Sequence, residues 1–185
     1  MLPPDWQKPS YPLPLFLMPP QIKRKVFISY HHEQDQFWFN HFSNTFSEDY
    51  EVFQDQSLDD EVDSEDLEYV NRVIRQDYIK GSSITIVLCG SETWKRRFID
   101  WEIASTLHHE HALLGILIPG TLPAANGKYG VPDRLYENIE TGYAAWSLWP
   151  GNPDQLKTLI EGALNKSNLK FLIRNDRLKM KRNLA

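Results

Sequence analysis

The feature that most constrains the fold is a pair of short apolar segments that each end abruptly in small polar residues. The first is KVFISYHH, residues 25–32, and the second is ITIVLCGSETWKRRFIDWEI, residues 84–103. Each begins with β-branched residues that suit a strand buried on both faces. The second segment continues with Ile99, Ile103 and Leu107 four residues apart, which is a helical spacing. Strands that alternate with helices predict a parallel α/β sheet, and ligands bind at the carboxyl ends of its strands.

The rest of the chain continues this alternation. The predicted strands are residues 24–30, 50–53, 84–89, 113–118 and 142–148, and the predicted helices are residues 34–46, 64–81, 93–108 and 154–164. With right-handed crossovers, we expect a flavodoxin-like, doubly wound fold: a five-stranded parallel sheet of order 2-1-3-4-5 with helices on both faces, in three layers. In this order the first and third strands are neighbours. The two apolar segments therefore end on either side of one crevice, which is the predicted site.

Composition favours a globular protein of the cytoplasm. Of the 185 residues 41% are hydrophobic, which is enough to form a core. The formal net charge of −5 argues against nucleic-acid binding, and no apolar run approaches the ~20 residues of a membrane span. The single cysteine, Cys89, fits a reducing compartment and is expected inside the third strand, not as a nucleophile. We therefore expect no nucleic-acid partner and no membrane contact.

Three regions differ in composition. Residues 1–22 hold seven of the twelve prolines, which predicts an extended arm outside the domain. If Met18 is the true start, residues 1–17 do not belong to the native protein. Residues 23–166 are predicted to form the domain. Residues 167–185 form a basic tail, expected to be a solvated basic helix or a frayed end.

Glu102 is the sharpest candidate for chemistry. On the predicted helix it shares a face with Phe98 and Ser105, and it follows Trp101 in sequence. A carboxylate in partly apolar surroundings can stabilise a developing cation. The ordinary alternative is a solvated or ion-paired glutamate, which the nearby cations of residues 95–97 favour.

Two groups of histidines invite a metal-site hypothesis. They are His31 and His32 in the first segment, and His108, His109 and His111 after the helix of Glu102. Neither group has a recognised ligand spacing. We therefore expect hydrogen-bonded histidines and no bound metal.

The two segments together resemble the TIR-like domain family of the bacterial Thoeris antiphage system. The resemblance covers about residues 23–119. The matching positions are Phe27, Ser29, Tyr30 and His31 in the first segment and Gly90, Ser91, Thr93, Arg96, Arg97, Phe98, Trp101, Glu102 and Ile103 in the second. The resemblance implies a TIR-type fold and an enzyme that cleaves NAD⁺, with Glu102 as the catalytic residue. NAD⁺ is then the substrate, and no further cofactor is expected.

The resemblance also implies a binding pocket and a set of partners. The pocket residues would be Phe27, Ser29, Tyr30, His31, Ser91, Trp94 and Phe98. The product would be an ADP-ribose-derived signalling nucleotide, with a cyclic form expected, that switches on a separate effector protein. A phage-derived trigger and homo-oligomerisation are further expectations.

Two other classes of function remain open. In the first, the chain is a non-catalytic TIR-like interaction module in which Glu102 is structural. In the second, it is a nucleotide-binding or receiver-like flavodoxin-type protein. The receiver-like alternative is disfavoured because the first strand lacks the adjacent acidic pair that a phosphoryl-accepting site needs.

Overall fold

The computed structural model describes residues 23–48, 50–54 and 77–185. The strands in this part are β1 Arg24–Ser29, β2 Tyr50–Gln54, β3 Ile84–Cys89, β4 Ala112–Leu117 and β5 Ala145–Leu148. The helices are α1 His32–Phe46, the described end of α2 at 77–81, α3 Arg97–His108, α4 Asp133–Glu140 and α5 Pro153–Lys166. The predicted N-terminal arm and most of the predicted helix 64–81 lie outside the described residues.

The sheet has the predicted topology. Its strands pair in the order β2-β1-β3-β4-β5, and all four pairings are parallel. In the central pair, Ile28 of β1 lies opposite Ile86 of β3 and Ser29 lies opposite Val87. The flavodoxin-like order is thereby confirmed, and it places the carboxyl ends of β1 and β3 side by side.

Helices cover both faces of the sheet and give the three predicted layers. On one face, α1 and α5 contribute Phe42 and Ile160 to a core with the inward side chains of β1, β3 and β4. On the other face, Ile103 of α3 and Leu135 of α4 pack with Val87 and neighbouring strand residues. Consecutive residues of β3 face opposite layers, so all six are buried, as its β-branched sequence predicted.

Three elements differ from the prediction by more than two residues. The predicted helix 93–108 is two elements, a 3-10 turn at Thr93–Lys95 and α3, because Arg96 between them has an extended backbone. Helix α4 lies in a stretch for which the sequence predicts a loop, because only a few of its eight side chains are buried and its apolar pattern is weak. The predicted fifth strand begins later, because Gly142 adopts a φ of 86° in the turn before it.

The tail is neither a basic helix nor a frayed end, so that expectation was wrong. After a 3-10 turn at Lys170–Leu172, its backbone runs along α3. The reason is that buried polar groups of the domain bond to its main chain: Asn138 donates to Arg174 O, and Arg134 donates to the carbonyl of Arg177. Of the helices in the described part of the chain, none is long and apolar enough to cross a membrane.

Candidate functional site

The two apolar segments meet through one hydrogen bond. Ser29, the last residue of β1, donates its hydroxyl to Oε2 of Glu102, and the two oxygens are 2.6 Å apart. Ser29 is 1% exposed and Glu102 is 8% exposed. A hydroxyl bonded to a carboxylate is a strong, charge-assisted contact when both groups are buried. The bond fixes the Glu102 carboxylate at the carboxyl end of β1, beside the end of β3.

A narrow cleft opens beside this carboxylate. Its volume is about 40 Å³, which leaves room for little more than ordered water. The cleft lies between the loop after β1 and the first turns of α3. Its lining consists of Tyr30, His31, His32, Glu33, Arg96, Arg97, Phe98, Ile99, Glu102 and Asn183.

Five of the predicted site residues come together here. Tyr30, His31 and Phe98 line the cleft with Glu102, and Ser29 holds the carboxylate from behind. The Tyr30 ring is stacked between two other rings, with His32 at 4.2 Å and Phe39 at 4.6 Å between centroids. This stacking holds the loop after β1 in place above the core.

The other three predicted residues lie elsewhere. Phe27 is fully buried in the sheet and does not line the cleft. Ser91 and Trp94 line a separate, open depression of about 480 Å³ formed with the loop at 121–131. Trp94 packs so closely on Gly130 that the position has no room for a Cβ. The binding roles of all these residues stay predictions.

The histidines lie where the sequence placed them, at a loop and a helix end. His31 is buried, with its Nε2 3.6 Å from a carboxylate oxygen of Glu33. Burial lowers the pKa of His109 and of His111, which favours their neutral forms. The described residues include no group of three metal-binding side chains, and a metal-free site stays a prediction. Cys89 is buried in β3, where desolvation raises its thiol pKa.

Asp35 is a buried carboxylate that the sequence reasoning missed. Thr93 donates its hydroxyl to Asp35 Oδ2 at 3.2 Å, and a Cβ added at Gly90 would lie 2.5 Å from both carboxylate oxygens. The contact ties the first turn of α1 to the turn after β3. Desolvation by burial raises the pKa of Asp35 to about 6. A sequence signal existed: Asp35 begins the helical stripe that continues with Phe39, Phe42 and Phe46.

Asn183 is the second missed residue, and no sequence pattern marks it. It reaches the cleft from the tail, about 80 positions beyond Glu102. Its Oδ1 accepts a hydrogen bond of 2.9 Å from the backbone N–H of Arg97, the first residue of α3. The side chain therefore satisfies one of the N–H groups that a helix start leaves without an intrahelical partner.

The sheet order and the buried carboxylate at its switch point define a flavodoxin-like α/β domain with a site between β1 and β3. The family model of the Thoeris protein ThsB, TIR-like domain, matches residues 27–122, which include Ser29 and Glu102. The chain therefore belongs to this family of TIR-like domains, and membership supports a role in antiphage defence. The curated proteins include no match to the chain.

Proposed function

We propose that this protein cleaves the bond between nicotinamide and ribose in NAD⁺, with Glu102 as the catalytic residue. The observation that carries the proposal is the buried Glu102 carboxylate, held by Ser29 in a cleft at the carboxyl ends of β1 and β3. An ordinary surface glutamate would be largely solvated. Burial with a hydroxyl partner is the environment of a carboxylate that acts on a substrate.

The chemistry needs one well-placed anion. When the bond between C1′ and the pyridinium nitrogen breaks, its electron pair goes to nicotinamide, which leaves as a neutral molecule without needing a proton. The ribosyl group develops positive charge in an oxocarbenium-like transition state. A fixed carboxylate facing that charge lowers the barrier. Glu102 has this role in the proposal, and Ser29 keeps it in position.

Other cleft residues supply partners for the rest of the substrate. Phe98 presents an aromatic ring, which attracts a cationic ring such as the pyridinium of NAD⁺. Arg96 brings a guanidinium to the same cleft, and guanidinium groups bind pyrophosphate oxygens well. The cleft thus combines an anion, an aromatic ring and a cation, groups that suit the ribose, the pyridinium and the pyrophosphate of NAD⁺ respectively.

The fate of the ribosyl cation determines the product. Capture by water gives ADP-ribose and a proton, whereas attack by an adenine nitrogen of the same molecule gives a cyclic ADP-ribose isomer. We propose the cyclic outcome, in a cytoplasmic pathway where a phage-derived trigger activates the protein and the nucleotide switches on a separate effector. Mass spectrometry of the reaction products distinguishes the cyclic product from the linear one by the mass of one water.

The test is release of nicotinamide from NAD⁺ by the purified protein, with and without lysate of phage-infected cells. Wild type is compared with Glu102→Gln, which keeps the size of the side chain and removes its charge. Glu161→Gln, at an exposed position of α5, is the matched control. We expect activity in wild type and in Glu161→Gln, and loss of activity in Glu102→Gln. Equal turnover of all three proteins would contradict the assignment.

A second candidate is a non-catalytic interaction module. It is favoured by an exposed aromatic surface on α1, where the Phe37 side chain is 69% exposed and contacts Trp38 and His41. Exposed aromatic groups of this kind often contact partner proteins. If lysate of infected cells produces no nicotinamide release, and Phe37→Ser abolishes assembly in the same lysate, this candidate replaces the enzyme.

A further inference from the structure

We propose that residues 174–184, here named the strap, close the Glu102 cleft and open to admit substrate. The inference rests on the proposed function, because it takes this cleft as the place where NAD⁺ reacts. It adds a means of regulation: the same chain that carries the site also limits access to it. The family match ends at residue 122, so the strap lies outside the part of the chain that the family defines.

The strap follows α3 backwards from its middle to its first residue. Asn175 donates to Ala104 O at 3.0 Å, and Trp101 Nε1 donates to Met180 O at 2.8 Å. Beyond these contacts, the N–H of Leu184 donates to Lys95 O at 2.9 Å, just before α3 begins. The strap therefore lies along the helix that carries Glu102 and ends at the cleft.

A buried ion pair anchors the first half of the strap. The Arg134 side chain is 1% exposed and donates to Asp100 of α3 at 2.9 Å. The same guanidinium donates to Asn175 Oδ1 and to Arg177 O, at 2.8 and 2.9 Å. Asp100 in turn accepts from the N–H of Met180 at 2.9 Å. Separating the partners of a buried ion pair leaves an uncompensated buried charge, which strongly destabilises the fold. The first half of the strap therefore stays in place.

The second half is held in a different way. Residues 181 and 182 are exposed, as is Leu184, so little apolar surface of the strap is buried here. A small number of polar contacts hold it, chiefly the Arg97 N–H that donates to Asn183 Oδ1 and the Leu184 N–H that donates to Lys95 O. Each such bond contributes little net free energy, since water replaces it when the segment leaves. This half is therefore able to detach while the first half stays anchored.

The volume of the cleft shows why the strap must move. With Asn183 as one wall, the cleft measures about 40 Å³, whereas pockets for drug-sized ligands run to roughly 300–1,000 Å³. A dinucleotide does not fit in the space that remains. Asn183 also covers the first turn of α3, next to Arg97 and about one and a half helical turns from Glu102. Its departure exposes that turn and widens the mouth of the cleft.

The experiment measures access to Glu102 directly, by its rate of labelling with a water-soluble carbodiimide and glycinamide, mapped by mass spectrometry. Leu184→Pro removes the N–H that donates to Lys95, and Leu184→Ala keeps that N–H as the matched control. Asn183→Ala removes the acceptor for Arg97 N. The exposed Glu161 serves as an internal reference carboxylate. Circular dichroism of each variant verifies that it is folded, and Asn183→Ala provides the test if Leu184→Pro does not fold.

We expect Glu102 labelling to rise about five-fold in Leu184→Pro and in Asn183→Ala, the change that loss of one hydrogen bond produces. Leu184→Ala should label like wild type. Equal labelling of Glu102 in all four proteins would overturn the proposal that the strap closes the cleft.

Nicotinamide release separates the two proposals. If the strap and the function both hold, release rises in the same two variants as labelling. If labelling rises but neither wild type nor any variant releases nicotinamide, the strap is supported as a closure of the cleft and the proposed function fails. If nicotinamide is released while labelling is equal throughout, the strap fails and the function stands.

Discussion

At the scale of single residues, the site depends on how two carboxylates are buried. Glu102 accepts a hydrogen bond from Ser29 and faces the cleft, whereas Asp35 accepts one from Thr93 and ties two loops together. Both groups lie at the carboxyl ends of β1 and β3. In the proposed function the first acts on the substrate, whereas the second joins the two loops that frame the cleft.

Asp35 should make the stability of the protein depend on pH. Its folded pKa of about 6 lies above the 3.8 of a solvated aspartate, so folding favours its neutral form. The contribution of Asp35 to the free energy of unfolding is therefore full below about pH 4. It falls by roughly 3 kcal/mol as the pH rises through about 6. We expect Asp35→Asn, which stays neutral, to gain stability over wild type as pH rises from 4 to 7.

Urea unfolding at several pH values measures this difference, and Asp154→Asn at the exposed start of α5 is the matched control. A constant stability difference between Asp35→Asn and wild type across this range would show that the burial of Asp35 has no effect on its titration.

Ser29 should affect turnover more than stability. Its hydroxyl orients the Glu102 carboxylate, so Ser29→Ala leaves the proposed catalytic anion in place but removes the hydroxyl that orients it. We expect a loss in kcat of about ten-fold to a hundred-fold, less than the loss for Glu102→Gln, with little change in KM. Steady-state kinetics of nicotinamide release provides the test. A change confined to KM would instead make Ser29 a binding residue.

At the scale of elements, α3 connects the site to the rest of the fold. Glu102 lies on one side of it, while Asp100 pairs with Arg134 of α4 and with the strap. The buried Arg134 pair should therefore matter far more than the exposed pairs of Arg177 with Asp133 and Glu137. We expect Arg134→Gln to lower the free energy of unfolding by about 3–5 kcal/mol, and Arg177→Gln by less than about 1 kcal/mol.

Chemical denaturation of the two arginine variants checks this expectation. A similar decrease in the free energy of unfolding in Arg134→Gln and Arg177→Gln would mean that Arg134 does not anchor α4 and the strap. Trp101 offers a second readout, since its indole N–H bonds to Met180 O and its fluorescence should change when that contact is broken.

At the scale of the whole molecule, the sheet was predictable because its signals are local. The apolar, β-branched runs of β1 and β3 and the spacing of Ile99, Ile103 and Leu107 are visible in short windows of sequence. Right-handed crossovers then leave few topologies. The convergence of Ser29 on Glu102 follows from the strand order, and the structure brings the two residues together as that order requires.

The features that sequence did not reveal depend on contacts between distant positions. Asp35 is buried because Thr93 and Gly90 close over it from another loop. The strap binds through main-chain groups and through the side chains of Asn175 and Asn183, and two isolated asparagines form no pattern in the sequence. Helix α4 is short and carries few apolar residues. For Asp35 and the strap the determining partner is remote in sequence, so no local rule indicates it, whereas α4 offers too weak a local pattern.

Glu102 is the proposed catalytic group, and its contribution is measured by the initial rate of nicotinamide release from NAD⁺. We expect Glu102→Gln to lower this rate by about 100-fold or more relative to wild type, because it removes a fixed group that stabilises transition-state charge. Glu161→Gln should retain the wild-type rate. A Glu102→Gln variant that releases nicotinamide as fast as wild type would show that Glu102 is not the catalytic residue.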